Sequence, residues 1–282
     1  MTAERADVSS GRRLRILGRS LWLASLTLLL AGPAEAARVR GRIDGFRNLL
    51  NPVWADARDP KQHGYSFREP SPTVRPEFRR LFPHVPKEIC VAAIAQAPQK
   101  PSGAVELRIG GGRTTPVTLV VAPGTLLRFV NTDPFKHRLY GVGIKSFLPA
   151  DTPRTGQREW SVPGPGIFEI RDELAPSLRT WIVAEPNVAA IVYPSMKGDF
   201  TLTVAEPGDY TVQAYFAGQK VGPAVPVTVA TADIDLTRSP LKVGDAKAAA
   251  AADKAEAQKA EAAAKAEAAA KAEAEKAGGK QK

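Results

Sequence analysis

Few side chains in this 282-residue chain are of a type that performs chemistry. There are three histidines, His63, His84 and His137, and one cysteine, Cys90, and no two of them stand at metal-ligand spacing. A lone imidazole with carboxylates offers too few donors for a tight soft-metal site, which needs several thiolate and imidazole ligands on a preformed loop. His137 therefore reads as a structural or surface residue, and no cofactor is expected. Ser177 and Ser195 lack the G-x-S-x-G elbow of a nucleophile. Asp172 and Glu173, with Glu159 or Glu169, are the nearest approach to a glycosidase carboxylate pair, and adjacent loop acids read as solvated. Gly110-Gly111-Gly112 precedes no helical pattern and has no Lys-Ser/Thr after it, so it is a hairpin turn and not a phosphate cradle. The expectation is a protein that is not an enzyme.

The elements that carry these residues are short β stretches closed by turn residues. Strands are expected over 104–109, 117–121, 126–130, 158–162, 167–171, 180–184, 189–193, 199–204, 209–216 and 224–229. Pro-Gly pairs recur at 123–124, 163–164, 165–166 and 207–208 and punctuate them. Such spacing indicates an all-β, antiparallel sandwich or barrel. An opening strand is expected near Arg38–Ile43 and another around Cys90. Between them eight prolines or turn residues, from Asn51 to Pro86, argue for a long loop over 38–103 that packs on the sandwich, and no helix is expected before residue 240. Trp54, Tyr65, Phe67 and Phe82 in this segment are candidate binding-surface residues. Cys90 sits in an apolar run and reads as a packed small hydrophobe, leaving no internal disulfide.

Both ends have their own composition. Arg12, Arg13, Arg15 and Arg19 precede the apolar run Leu21–Ala31 and the small-residue site Ala34-Glu35-Ala36, the pattern of a secretory signal peptide cleaved before Ala37. The protein is then periplasmic or secreted. The formal charge of +10 falls to +8 without residues 1–36, which hold five arginines against three acids. With no dense basic run interleaved with aromatics, nucleic acid is excluded as a partner, and contact with anionic envelope surfaces is the remaining use for the charge. From 246 to 277 the chain is nearly all Ala, Glu and Lys, with Glu261 and Lys265, and Glu267 and Lys271, at favourable i,i+4 spacing. A single helix is expected there, about 45 Å long at 1.5 Å per residue. It carries no leucine stripe, so it reads as a spacer or tether, and residues 278–282 as a disordered end.

Residues 120–137, Val-Val-Ala-Pro-Gly-Thr-Leu-Leu-Arg-Phe-Val-Asn-Thr-Asp-Pro-Phe-Lys-His, resemble the cupredoxin pattern of strand, Pro-Gly turn, strand, Asn-x-Asp and a first copper-binding histidine, here His137. Further on, Pro165-Gly166-Ile167-Phe168 and Arg171 to Ile182 resemble the strand and ligand loop that carry C-x-x-H-P-x-M in that family. Asp172 takes the Cys position, Ala175 the His position and Leu178 the Met position, while Pro176 and the Trp181-Ile182 strand start match. Residues 181–212, with turns before Phe200 and Tyr210, are similar to a carboxypeptidase regulatory-like β module. The resemblance implies a Greek-key cupredoxin-like sandwich with a degenerate copper site over 104–230 that includes a regulatory-like β portion, then a linker at 231–245.

These readings combine into an exported, non-catalytic binding or structural protein of the cell envelope, monomeric, whose partner is an envelope protein or glycan. A copper-binding or redox accessory protein with a non-standard site at His137 and Asp172, and a carbohydrate or peptidoglycan binder using the aromatic residues of 46–82, are the alternatives.

Overall fold

Apolar and charged residues alternate in Ala37-Arg38-Val39-Arg40-Gly41-Arg42-Ile43-Asp44, and the chain folds accordingly: the odd positions are buried and the arginines point out. This is strand β1 (Ala37–Asp44). In the computed structural model, residues 37–58, 83–101, 103–230 and 232–244 are described. After β1 come helix α1 (Pro52–Arg58), the one-turn helix α2 (Val85–Glu88) and β2 (Ile89–Ala95). Then follow β3 (Val105–Gly110), β4 (Arg113–Thr115), β5 (Thr118–Val121), β6 (Leu126–Asn131), β7 (His137–Gly141), β8 (Ala150–Thr152), β9 (Gln157–Ser161), β10 (Gly166–Asp172) and β11 (Arg179–Ala184). The last group is β12 (Val188–Val192), β13 (Asp199–Val204), β14 (Gly208–Phe216), β15 (Gln219–Val229), β16 (Ile234–Asp235) and β17 (Leu241–Lys242).

These strands make four sheets, ordered β13-β1-β16 with β17 also beside β1, β12-β2-β14-β15, β5-β11-β10-β7-β8 and β4-β3-β6-β9. Three apolar layers lie between them. Val39, Ile43, Val91, Leu202 and Val212 fill the first, between the β1 and β2 sheets. Cys90, Ala92, Val120, Val183 and Tyr215 fill the second, between the β2 and β11 sheets. Leu107, Leu127, Phe129, Leu139, Ile170, Leu178 and Ile182 fill the third, between the β11 and β6 sheets. Burying one such large side chain contributes about 1.5–3 kcal/mol. β2 shows why its sequence has no polar residue: Val91 and Ala93 face one layer, while Cys90 and Ala92 face the next. Burial pushes the Cys90 thiol up to about 12, so it stays a neutral, packed group.

The structure corrects several expectations. Three of these four sheets are mixed: β3 pairs parallel with β6, β5 with β11, and β1 with both β16 and β17, while the β12-β2-β14-β15 sheet is antiparallel throughout. The segment 37–103 does more than pack on a sandwich, because it donates β1 to β13 and β2 to both β12 and β14. Strands β12–β15 are thus joined by the N-terminal strands and are no separate appendage. Strands β3–β11, which make the β5-β11-β10-β7-β8 and β4-β3-β6-β9 sheets, lie in the chain between β2 and β12, two paired strands of another sheet. The expected linker at 231–245 contains β16 and β17, which flank β1. Two short helices occur where none was expected. α1 has Pro52 at its first position and Asn51 Oδ1 accepting the Val53 N–H at 3.0 Å, a proline-led start with an asparagine cap. The expected signal peptide at 1–36, the tail helix at 246–277 and Tyr65, Phe67 and Phe82 lie outside the described residues.

The two glycine turns before Phe200 and Tyr210 place both rings in the first layer. Gly198 has φ +89°, and a Cβ there would meet the Ile43 carbonyl oxygen at 2.6 Å, so the corner admits no side chain.

Candidate functional site

The loop from β6 to β7 is set by Asn131, which is fully buried. Its Nδ2 donates to the carbonyls of Phe135 at 2.8 Å, Thr152 at 3.1 Å and Pro153 at 3.0 Å, and its Oδ1 accepts the Asp133 N–H at 2.9 Å. That closes a tight Asx turn and directs the Asp133 carboxylate toward the β3–β4 hairpin. There Gly111 and Gly112, at φ +63° and +66°, present successive N–H groups to the two carboxylate oxygens at 2.6 and 2.9 Å. Left-handed glycines make this small anion-binding nest.

His137 opens β7 with no exposed surface. Its Nε2 is 3.1 Å from Asp133 Oδ2, and its Nδ1 is 2.7 Å from Asp172 Oδ2. Asp172 ends β10 and is also saturated: Oδ1 accepts the N–H groups of Leu174 at 2.6 Å and Ala175 at 2.9 Å, and Oδ2 accepts that of Arg138 at 3.2 Å. The Phe135 ring covers the imidazole at a centroid distance of 4.9 Å. One histidine thus joins three loops: the β3–β4 hairpin through Asp133, the β6–β7 loop, and the β10–β11 loop through Asp172.

Burial pushes the Asp133 carboxyl up, but the N–H groups of Gly112 and Gly111 and the adjacent His137 together hold it below the ordinary carboxylate range. Each ring nitrogen of His137 thus lies within hydrogen-bond distance of a carboxylate oxygen, and backbone N–H groups meet the other lone pairs of both carboxylates.

A metal does not fit these residues. The two carboxylates sit on opposite nitrogens of one ring, so the donors diverge where a ligand set must converge. Ala175 supplies no donor atom, and Leu178 is fully buried in the third apolar layer. Among the described residues no group of three or more His, Cys, Asp or Glu side chains is arranged to hold a metal ion. The other candidate carboxylates are individually ion-paired: Glu159 with Arg128 at 2.8 Å, Glu169 with Arg171 at 2.7 Å and Glu173 with Arg138 at 2.9 Å. Ser177 donates to the Gly112 carbonyl at 3.1 Å.

Of the residues singled out in the sequence, the structure brings His137 and Asp172 into direct contact and adds Asp133. Asp133 was visible as part of a turn motif, and its role depends on the hairpin that faces it. Trp54 is half-buried on α1, with the Arg113 guanidinium 5.3 Å from its ring centre.

No family model matches the chain, and no curated protein matches it. Solved structures do. A purple cupredoxin from Nitrosopumilus maritimus aligns at 14% identity over 28% of this chain and 98% of its own, with a TM-score of 0.26. A copper-containing nitrite reductase from Thermus scotoductus SA-01 aligns at 20% identity over 30% of this chain and 23% of its own, also at 0.26. A point mutant of amicyanin in its reduced state aligns at 14% identity over 33% of this chain and 99% of its own, at 0.26. The regulatory-like module finds no support in these comparisons. The chain bears a distant, partial likeness to cupredoxin-type folds.

Proposed function

We propose that this chain is an exported, non-catalytic binding or structural protein of the cell envelope, built on a cupredoxin-like sandwich whose metal position is taken by hydrogen bonds. The observation that carries the reading is the buried Asp133–His137–Asp172 cluster. It ties together the loops that a copper ion would otherwise bridge, and it uses both imidazole nitrogens in doing so. The basic, apolar and small-residue segments of 1–36 support export, and the Ala/Glu/Lys-rich 246–277 segment supports a spacer or tether that displays the β sandwiches as a monomer. The second sandwich, with its regulatory-like turns, serves as scaffold in this reading.

Two measurements test it. Copper titration of the purified mature chain against a competing chelator should give no stoichiometric binding; one tightly held copper per chain that disappears in His137→Ala would overturn the metal-free reading. N-terminal sequencing of the exported protein should begin at Ala37, and a chain retained in the cytosol with residue 1 intact would refute export.

A further inference from the structure

Three exposed aliphatic side chains stand at one end of three neighbouring strands. In the sheet order β10-β7-β8, Ile167 lies at the start of β10, Val142 just past the end of β7 and Leu148 just before β8. They are 54%, 45% and 66% exposed. β7 pairs antiparallel with both neighbours, so all three positions fall at the end of the sheet away from His137. The Val142 N–H donates to the Glu169 carbonyl at 2.9 Å, which seats it beside β10. Two strand spacings make this row about 10 Å wide.

The loop between β7 and β8 is built to hold Leu148 out. Phe147 beside it is buried, with the Arg158 guanidinium 3.8 Å from its ring centre. The Gly141 N–H donates to the Phe147 carbonyl at 2.8 Å, Arg158 Nη2 donates to the Leu148 carbonyl, and Trp160 Nε1 donates to Ser146 Oγ at 3.1 Å. A fixed backbone thus keeps aliphatic surface in water, as interaction sites do. Lysines flank the row. Lys145 is exposed in the same loop. On the other side the β14–β15 turn lies against Ile167, since a Cβ on Gly218 would come 2.9 Å from its Cγ2, and the exposed Lys220 follows in β15. Lys136 is tied to Asp151 and Arg138 to Glu173, whereas Lys145 and Lys220 make no ion pair among the described residues. Glu169, on the same face of β10 as Ile167, is held by Arg171 at 2.7 Å.

An anionic lipid surface matches both features. Aliphatic tips enter the acyl boundary while lysine ammonium groups stay among the headgroups, and the charge of +8 beyond residue 36 favours the approach. We propose that this end of β10, β7 and β8 docks on an anionic phospholipid membrane, with Leu148, Val142 and Ile167 inserted and Lys145 and Lys220 against the headgroups. The proposal rests on the envelope-binding reading and names its partner, but it does not involve the Asp133–His137–Asp172 cluster.

The test is co-sedimentation of the full mature chain with vesicles of phosphatidylethanolamine containing phosphatidylglycerol, and with vesicles of phosphatidylcholine alone. Binding is expected to the anionic vesicles only, and should weaken as salt is raised. The pair Leu148→Ser and Ile167→Ser should weaken it about ten-fold or more, and the pair Lys145→Glu and Lys220→Glu about ten-fold. Both pairs should keep the wild-type urea midpoint, and where the serine pair lowers it, the glutamate pair alone decides. No binding to the anionic vesicles overturns the proposal, and so does equal binding by wild type and both variants, which would move the contact to lysines elsewhere in the chain. A wild-type dimer in sedimentation that the serine pair dissolves assigns the row to a second copy of the chain and overturns it too. Each of these results leaves the metal-free reading standing, just as copper binding would leave the vesicle result untouched.

Discussion

Replacing His137 with alanine removes two hydrogen bonds to buried carboxylates at once. The imidazole is fully buried, and its nitrogens lie 2.7 Å from Asp172 and 3.1 Å from Asp133. A hydrogen bond to a charged group is worth about 1.5–3 kcal/mol, and breaking a buried ion pair by deleting one partner costs about 3–5 kcal/mol. Both carboxylates keep their backbone donors, two for Asp133 and three for Asp172, which puts the expected loss at the lower end, about 3 kcal/mol. For a chain of this size that is a fall in Tm of roughly 6–12 °C. Equilibrium urea unfolding of wild type, His137→Ala, Asp172→Ala and the double variant measures it, since the cycle isolates the coupling of the pair. The coupling should be about 1.5–3 kcal/mol, with the double variant less impaired than the two single losses added. A His137→Ala loss below about 1 kcal/mol, or strict additivity, would show that the cluster does not hold the three loops together.

Acid stability is set in part by Asp133. Its folded carboxyl titrates below its unfolded value, so its contribution is fully present above about pH 4 and is lost as pH falls through the folded value. Urea midpoints measured from pH 6 down to pH 2 should fall more steeply for wild type than for Asp133→Asn; parallel curves would contradict this. Leu178→Ala, which empties a fully buried site in the third apolar layer, should cost about 2–5 kcal/mol in the same unfolding assay, while Leu178→Met should cost less than about 1.5 kcal/mol and bind no copper. Gly41→Ala places a Cβ 2.5 Å from the Phe200 ring, directly across the β1–β13 pair, and should lower stability by about 1–3 kcal/mol; a neutral effect would mean that β1 is not seated against β13.

How much of this was legible depended on range. Strands with strong local signals were readable, as at 199–204, where the alternation of Phe200, Leu202 and Val204 matches the buried face of β13. β7 was not, because His137-Arg138-Leu139-Tyr140-Gly141 has no strand composition and is held by its pairing with β10. The partnership of β1 with β13 and with β16 joins residues some 160 to 195 apart, and nothing local encodes such pairing. α1 was hidden by counting Pro52 as a breaker, when Asn51 before it makes the same proline a helix start. At the site, His137 and Asp172 were legible as candidates. Their link through Asp133 was not, since Asp133 acquires its role only when the Gly111–Gly112 hairpin and the end of β10 close around His137.

The most direct test of the central claim is nitrogen-15 NMR of the His137 imidazole in the purified chain at neutral pH, recorded before and after adding copper. Each ring nitrogen should show a hydrogen bond to one aspartate, and the signals should stay in place when copper is added. A ring with one nitrogen free of such a bond, or one whose resonances move or broaden in step with a single equivalent of copper, would contradict it.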